Sequence, residues 1–180
     1  MEPKGLVLIN TGDGKGKTTA ALGTAFRAWG DGQRVLILQF IKGAWKYGEL
    51  EAVKALGERI RIMPMGDGFV FHNKDRGDAA LFEEKKKKAE QAWTVVEEEV
   101  SGGKWDLIVL EEINYAVHFG LVDVSQVVRL VKERPDGLNL ILTGRCAAPE
   151  LIELADTVTE MKLVKHAFQK GIRARKGIEF

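Results

Sequence analysis

Cysteine is almost missing from this chain: Cys146 is its one thiol in 180 residues. No internal disulfide can form, and a reducing compartment is the expectation. No apolar run approaches the roughly 20 residues of a membrane-spanning helix, so no membrane partner is expected. The opening MEPKGLVLIN enters an apolar stretch almost at once and carries no signal-peptide pattern. A cytoplasmic location is therefore expected. An excess of either charge is lacking too. The chain holds 27 Lys and Arg against 26 Asp and Glu, a net charge of +1, so no global field draws it to nucleic acid or membrane. His72, His166 and Cys146 show no metal-ligand spacing. His118 follows an aromatic-rich turn and reads as structural, and no nucleophile–base pair suggests a catalytic triad. No linker, repeat or low-complexity tract divides the sequence. Residues 1–180 are read as one domain with an ample core.

What the chain does have is concentrated in residues 6–19, LVLINTGDGKGKTT. Four of the first five residues are apolar, as in a buried strand. A glycine-rich turn follows, and a helical pattern restarts at Lys17. Against the phosphate-loop pattern G-x-x-x-x-G-K-[ST] the match is Thr11-Gly12-Asp13-Gly14-Lys15-Gly16-Lys17-Thr18, with Thr11 in place of the first glycine. The physics survives that replacement. Gly12, Gly14 and Gly16 admit backbone conformations closed to other residues, so successive N–H groups can turn toward phosphate oxygens. The helix that follows presents its positive end. Lys17 supplies a point charge for the outer phosphates, and Thr18 a hydroxyl suited to Mg²⁺. A turn that merely joins strand to helix leaves two lysines and the pair Thr18-Thr19 unexplained. The loop from Gly12 to Thr19 is the expected site for a nucleoside triphosphate.

Strands are expected over residues 6–10, 34–40, 60–65, 105–113, 139–143 and 157–164, and helices over 17–29, 49–56, 78–100, 124–132 and 149–155, the first with Ala21, Leu22, Ala25, Phe26 and Trp29 as its apolar stripe. The helix at 124 should open at Asp123 or Ser125 and stop before Pro135. Residues 69–73 show no clear period, and the tail is basic and punctuated by glycine. The charges at 83–88 read as an exposed helix face, carboxylates ahead of lysines, and not as a nucleic-acid patch. Strands separated by helices predict an α/β fold. Its mainly parallel sheet is covered on both faces, in the P-loop, RecA-like manner.

Further chemistry is expected at strand ends. The run LIVLEEI finishes in Glu111 and Glu112, where a nucleotide-binding sheet holds Mg²⁺ opposite its phosphate loop. Side chains alternate along a strand, so both carboxylates cannot face one metal. One should reach the site, directly or through water, while the other serves structure; the plain alternative is a solvated strand end. Thr143-Gly144-Arg145 closes another strand on the ligand-binding edge of the sheet. There Arg145 is either a phosphate or substrate contact or an ordinary surface arginine. Trp45, Tyr47, Phe69 and Phe71 lie in loops after strands. Singly each reads as a core plug, and as a group they point to a large flat apolar ligand beside the nucleotide.

These motifs together resemble the P-loop-type ATP:corrinoid adenosyltransferases, which act on cob(I)alamin or cob(I)yrinic acid a,c-diamide. The resemblance runs nearly end to end, through TGDGKGKTTAALGTAFRAWG, VLILQFIKG, GFVF, LEEINYAV, ILTGR, LADTVTEM and VKHAFQKGIRARKGIEF. That family's loop also begins with threonine, which turns the departure at Thr11 into support. The resemblance implies transfer of the 5′-deoxyadenosyl group of ATP to corrinoid cobalt, with triphosphate released. It also implies an ATP reversed in the loop relative to kinases, so that C5′ is exposed. Carried over by position, Gly12 to Thr18 would hold the triphosphate, with Lys17 and Glu112 catalytic. Thr18 and Glu112 would hold Mg²⁺ (or Mn²⁺), with Glu111 at the family's aspartate position. Phe69 and Phe71 fall on the aromatic pair thought to displace the lower axial ligand of cobalt, and Trp45 joins them in the corrinoid site. A homodimer and an electron-donating flavoprotein are implied as partners. Several members carry an N-terminal cap over the nucleotide. Here nine residues precede Asn10, so the cap is expected to be missing or replaced by another segment. The competing readings are a P-loop ATPase or kinase acting at the γ-phosphate, and a nucleotide-dependent switch.

Overall fold

Apolar strand runs that begin shortly after a helix and end at a polar turn can pair side by side only through crossovers, which favours a parallel sheet. The computed structural model describes residues 4–41, 47–66 and 79–179. Six strands, β1 (Val7–Thr11), β2 (Val35–Gln39), β3 (Ile60–Pro64), β4 (Leu107–Glu111), β5 (Asn139–Thr143) and β6 (Thr157–Glu160), form one sheet in the order β3-β2-β4-β5-β1-β6. Every pairing is parallel. β5 lies between β1, which leads into the phosphate loop, and the acidic strand β4. This is the expected α/β, RecA-like arrangement.

The two-residue alternation of the strands divides the core between two faces. Ile37, Val109 and Ile141 lie in register across β2, β4 and β5, in a cluster with Ala21 and Ala25 of helix α1 (Lys17–Gly30). Val53 and Leu56 of α2 (Gly48–Leu56) pack against the same cluster. On the other face, Leu38, Leu110, Leu142 and Ile9 meet Trp93 and Val96 of α3 (Ala79–Ser101). Ile113 of α4 (Ile113–His118), Val127 of α5 (Val124–Glu133) and Leu151 of α6 (Pro149–Leu154) complete that layer. Helices thus cover both faces. Asp123 caps α5: its carboxylate accepts the Ser125 N–H at 2.7 Å, and Gln126 Oε1 accepts the Asp123 N–H at 3.3 Å.

Three expectations are corrected. The strand expected over 105–113 ends at Glu111, because Glu112 takes a left-handed conformation (φ 62°, ψ 17°) and α4 starts at once. The last strand stops at Glu160, four residues short of the expectation, because the following residues turn onto the phosphate loop. Phe26, read with the apolar stripe of α1, is exposed and stacks on Trp29 instead of entering the core. The period-3.6 signal places Phe26 near that stripe but cannot say how wide the buried stripe is.

Candidate active site

β1 delivers the chain to the carboxyl edge of the sheet, and α1 leaves it; between them the loop must reverse within five residues. Gly12 (φ 91°) and Gly16 (φ 124°) take the positive-φ conformations that the sequence suggested. Gly14 is not in the positive-φ region; close packing alone requires a glycine there, a crowding by Met161 that Gly12 shares. A Cβ at Gly14 would stand 2.7 Å from the Met161 carbonyl oxygen and 2.8 Å from the Lys162 carbonyl. The Gly14 N–H donates to Met161 O at 2.6 Å. Here that amide faces the segment after β6, where the sequence suggested that it would turn toward phosphate.

Thr11, in the place of the usual first glycine, still belongs to β1. Its hydroxyl accepts the Ala147 N–H at 3.3 Å, which ties the phosphate loop to the turn after β5. Lys17 opens α1 and is only 8% exposed. Its ammonium donates to the carbonyls of Gly12 (2.7 Å) and Gly14 (2.8 Å) and so is held inside the loop. Burial pulls its pKa below the usual lysine value. Glu112 opposes that shift, Arg145 adds to it, and Asp13 opposes it again. A buried ammonium among backbone dipoles is a centre that an incoming polyanion stabilises.

Glu111 continues the β4 face that carries Val109, so its carboxylate points toward α1. It is 2% exposed. Thr18 Oγ1 donates to Glu111 Oε1 at 2.7 Å, and Gln39 Nε2 donates to Oε2 at 2.5 Å. Gln39 stands opposite Glu111 in the β2–β4 register, and its own Oε1 has no partner among the described residues. Because the Thr18 proton goes to Glu111, the hydroxyl's lone pairs remain for a hard cation.

The left-handed turn at Glu112 changes the argument about alternation. Strand geometry no longer applies there, and both glutamates reach the same end of the sheet. The Glu112 N–H donates to Thr143 Oγ1 at 3.0 Å, while its side chain lines the cleft over the loop and acts electrostatically on Lys17. Thr18 and Glu112 offer oxygen donors of the kind Mg²⁺ takes, and Glu111 orients the first of them.

Arg145 meets the loop directly: its guanidinium donates to Asp13 Oδ1 at 3.3 Å, and it lines the same cleft of about 810 Å³. That volume falls within the usual range for ligand sites, about 300–1,000 Å³. Asp13, Gly14, Lys15, Gly16, Lys17, Thr18 and Thr19 all line it, so the loop is brought together as expected. Gly12 lies just below, as an acceptor for Lys17. Lys15, besides lining the cleft, pairs with Glu179. Trp45, Phe69 and Phe71 lie outside the described residues.

Two further features of the site are not among the residues expected from the sequence. Gln39 is fully buried at the carboxyl end of β2. A polar residue closing the apolar run RVLILQF, on the ligand-binding edge of a sheet, was the available signal. The tail residues His166, Phe168, Gln169, Ile178 and Glu179 also line the cleft. Their glycine punctuation gave no hint of the return.

Fold and loop together define a P-loop nucleotide-binding protein. The family model described as ATP:corrinoid adenosyltransferase BtuR/CobO/CobP matches residues 3–180. The chain belongs to that family. It is 42% identical to a corrinoid adenosyltransferase of Sinorhizobium sp over 99% of this chain and 82% of the relative. It is 41% identical to one of Pseudomonas aeruginosa (99% and 85%) and 36% identical to one of Escherichia coli K12 (100% and 88%).

Proposed function

We propose that this protein transfers the 5′-deoxyadenosyl group of ATP to Co(I) of a corrinoid, cobalamin or cobyrinic acid a,c-diamide, releasing triphosphate. The observation that carries the reading is a phosphate loop lining the cleft in a chain whose family match spans residues 3–180. The cobalt electron pair forms the Co–C5′ bond as the C5′–O bond breaks, and that bond's electrons leave on the triphosphate. Co(I) is already a strong nucleophile, so the step needs no general base. The protein aligns C5′ with the corrinoid, excludes water and stabilises charge on the leaving group. Lys17 and the loop backbone do the last of these.

Mg²⁺ (or Mn²⁺), held by Thr18 and Glu112, would add positive charge beside the triphosphate. Glu111 keeps the Thr18 hydroxyl aimed. Glu112→Gln should therefore raise the Mg²⁺ concentration needed for half-maximal rate more than Glu111→Gln does. A titration giving the reverse ranking would move the metal contact to Glu111.

Phe69 and Phe71, with Trp45, are assigned to the corrinoid. Aromatic side chains against the lower face of the macrocycle keep water and nitrogen bases from cobalt, and Co(II) without its axial ligand is easier to reduce. Phe69→Ala and Phe71→Ala should strongly impair the reaction from Co(II) with a protein reductant. They should retain much of it when Co(I) is supplied chemically. Equal losses from both starting states would make these two residues packing only. A homodimer, a flavoprotein electron donor and a cytoplasmic setting complete the proposal. Among the described residues no helix is long and apolar enough to cross a membrane.

Anaerobic incubation with ATP, Mg²⁺ and chemically reduced cobalamin tests the reading. The absorbance should change from that of Co(I) to that of an alkylated corrinoid; an unchanged Co(I) spectrum contradicts it.

A further inference from the structure

The segment after β6 turns back on the phosphate loop. The Met161 N–H donates to Thr11 O at 2.8 Å, while its carbonyl takes the Gly14 N–H at 2.6 Å. Seventeen residues further on, the chain is pinned to the loop again: Lys15 Nζ donates to Ile178 O at 3.1 Å and to Glu179 Oε2 at 2.8 Å. Between these anchors stands one turn of 3-10 helix, Ala167–Lys170. His166 caps it, its Nδ1 accepting the Phe168 N–H at 3.2 Å and its N–H donating to Gln169 Oε1 at 3.0 Å. Gly171, in the left-handed region, closes it.

The capped turn fixes Phe168 on the wall of the cleft, yet 77% of the residue's surface stays exposed. Leu163 and Ile178 line the cleft with it and are also exposed, and Leu22 of α1 lines it too. One cleft therefore joins an anion cradle to an uncovered aromatic ring held by an ordered turn. A ligand that satisfies both ends carries a polyphosphate and a flat aromatic group.

We propose that the segment between Met161 and Glu179 builds the nucleoside subsite, with Phe168 stacking on the adenine base while the loop holds the triphosphate. This rests on the proposed use of ATP. A corrin ring is also flat and apolar, but this wall is bonded at both ends to the phosphate loop itself, at Gly14 and Lys15. Its aromatic surface therefore goes with whatever occupies that loop. Lys15, read from the sequence as a phosphate contact, has the further role of holding the wall in place.

The test is calorimetric titration of the full chain with ATP and, separately, with inorganic triphosphate, each with Mg²⁺. The wild-type protein should bind ATP more tightly than triphosphate. Phe168→Ala should weaken ATP about tenfold, within the range for removing one aromatic–base stack, and leave triphosphate unchanged. Phe168→Trp should restore ATP affinity. The exposure of Phe168 makes loss of the fold in these variants unexpected, and unaltered triphosphate binding checks it directly. Equal weakening of both ligands, or unchanged ATP affinity in Phe168→Ala, overturns the proposal. So does a wild-type protein that binds the two ligands equally, or a Phe168→Ala variant that loses affinity for a corrinoid alone. A wild-type chain that binds triphosphate but rejects ATP overturns the use of ATP itself, which separates the two failures.

Discussion

Lys17→Ala is expected to lower kcat/KM for adenosyl transfer about 30- to 1,000-fold, with most of the loss in kcat. The range corresponds to about 2–4 kcal/mol of transition-state stabilisation, typical for deleting one preorganised charge-assisted contact. The structure gives two reasons for the upper half of that range. The Lys17 ammonium is buried inside the loop, whereas the exposed Lys15 nearby is held on the tail by Ile178 O and Glu179 and does not occupy its place. Its loss also leaves the carbonyls of Gly12 and Gly14 without their donor, which frees the loop to relax away from the geometry that meets a triphosphate. Steady-state kinetics with saturating Co(I) corrinoid, alongside a thermal melt, separates the chemical loss from a folding loss. Near-normal turnover in a folded variant rules out the assignment of the loop.

Gly14→Ala tests the loop by a different route. The new methyl would lie within 2.8 Å of two backbone carbonyl groups, Met161 and Lys162, and backbone cannot swing aside as a side chain can. Either the loop or the segment after β6 must move, and the Gly14–Met161 hydrogen bond goes with the movement. Overpacking of this kind costs about 1–3 kcal/mol, so the melting temperature should fall by roughly 2–12 °C for a domain of this size. ATP affinity should fall as well, because the displaced segment carries the far wall of the cleft. A variant with wild-type melting and wild-type ATP affinity would show that the close packing of the two segments is not needed.

The sequence made the centre of the molecule readable where local rules and tertiary demands agree. The strand at 139–143 is found over its whole expected span, and α1 begins at Lys17 as expected. An apolar run bounded by turn residues has few alternatives, and a glycine-rich loop feeding a helix has fewer. The end of β4 was not readable in the same way. Apolar Ile113 extends the run LIVL past two glutamates, and periodicity cannot reveal one left-handed residue at Glu112. That single backbone torsion decides whether the two glutamates oppose each other or share the site. The roles of Thr11, Lys15 and the tail depend on partners far along the chain, Ala147, Ile178 and Glu179, which no local pattern encodes. The crowding at Gly14 was hidden for the same reason, since it comes from Met161 and Lys162.

In the proposed reaction the loop holds a triphosphate that leaves intact when C5′ is attacked. Phosphorus NMR of the anaerobic reaction with ATP, Mg²⁺ and Co(I) cobalamin reads this directly. One inorganic triphosphate should form for each adenosylated corrinoid, with no accumulation of ADP. ADP and orthophosphate appearing in place of triphosphate, with the corrinoid unalkylated, would contradict it and assign the loop to attack at the γ-phosphate.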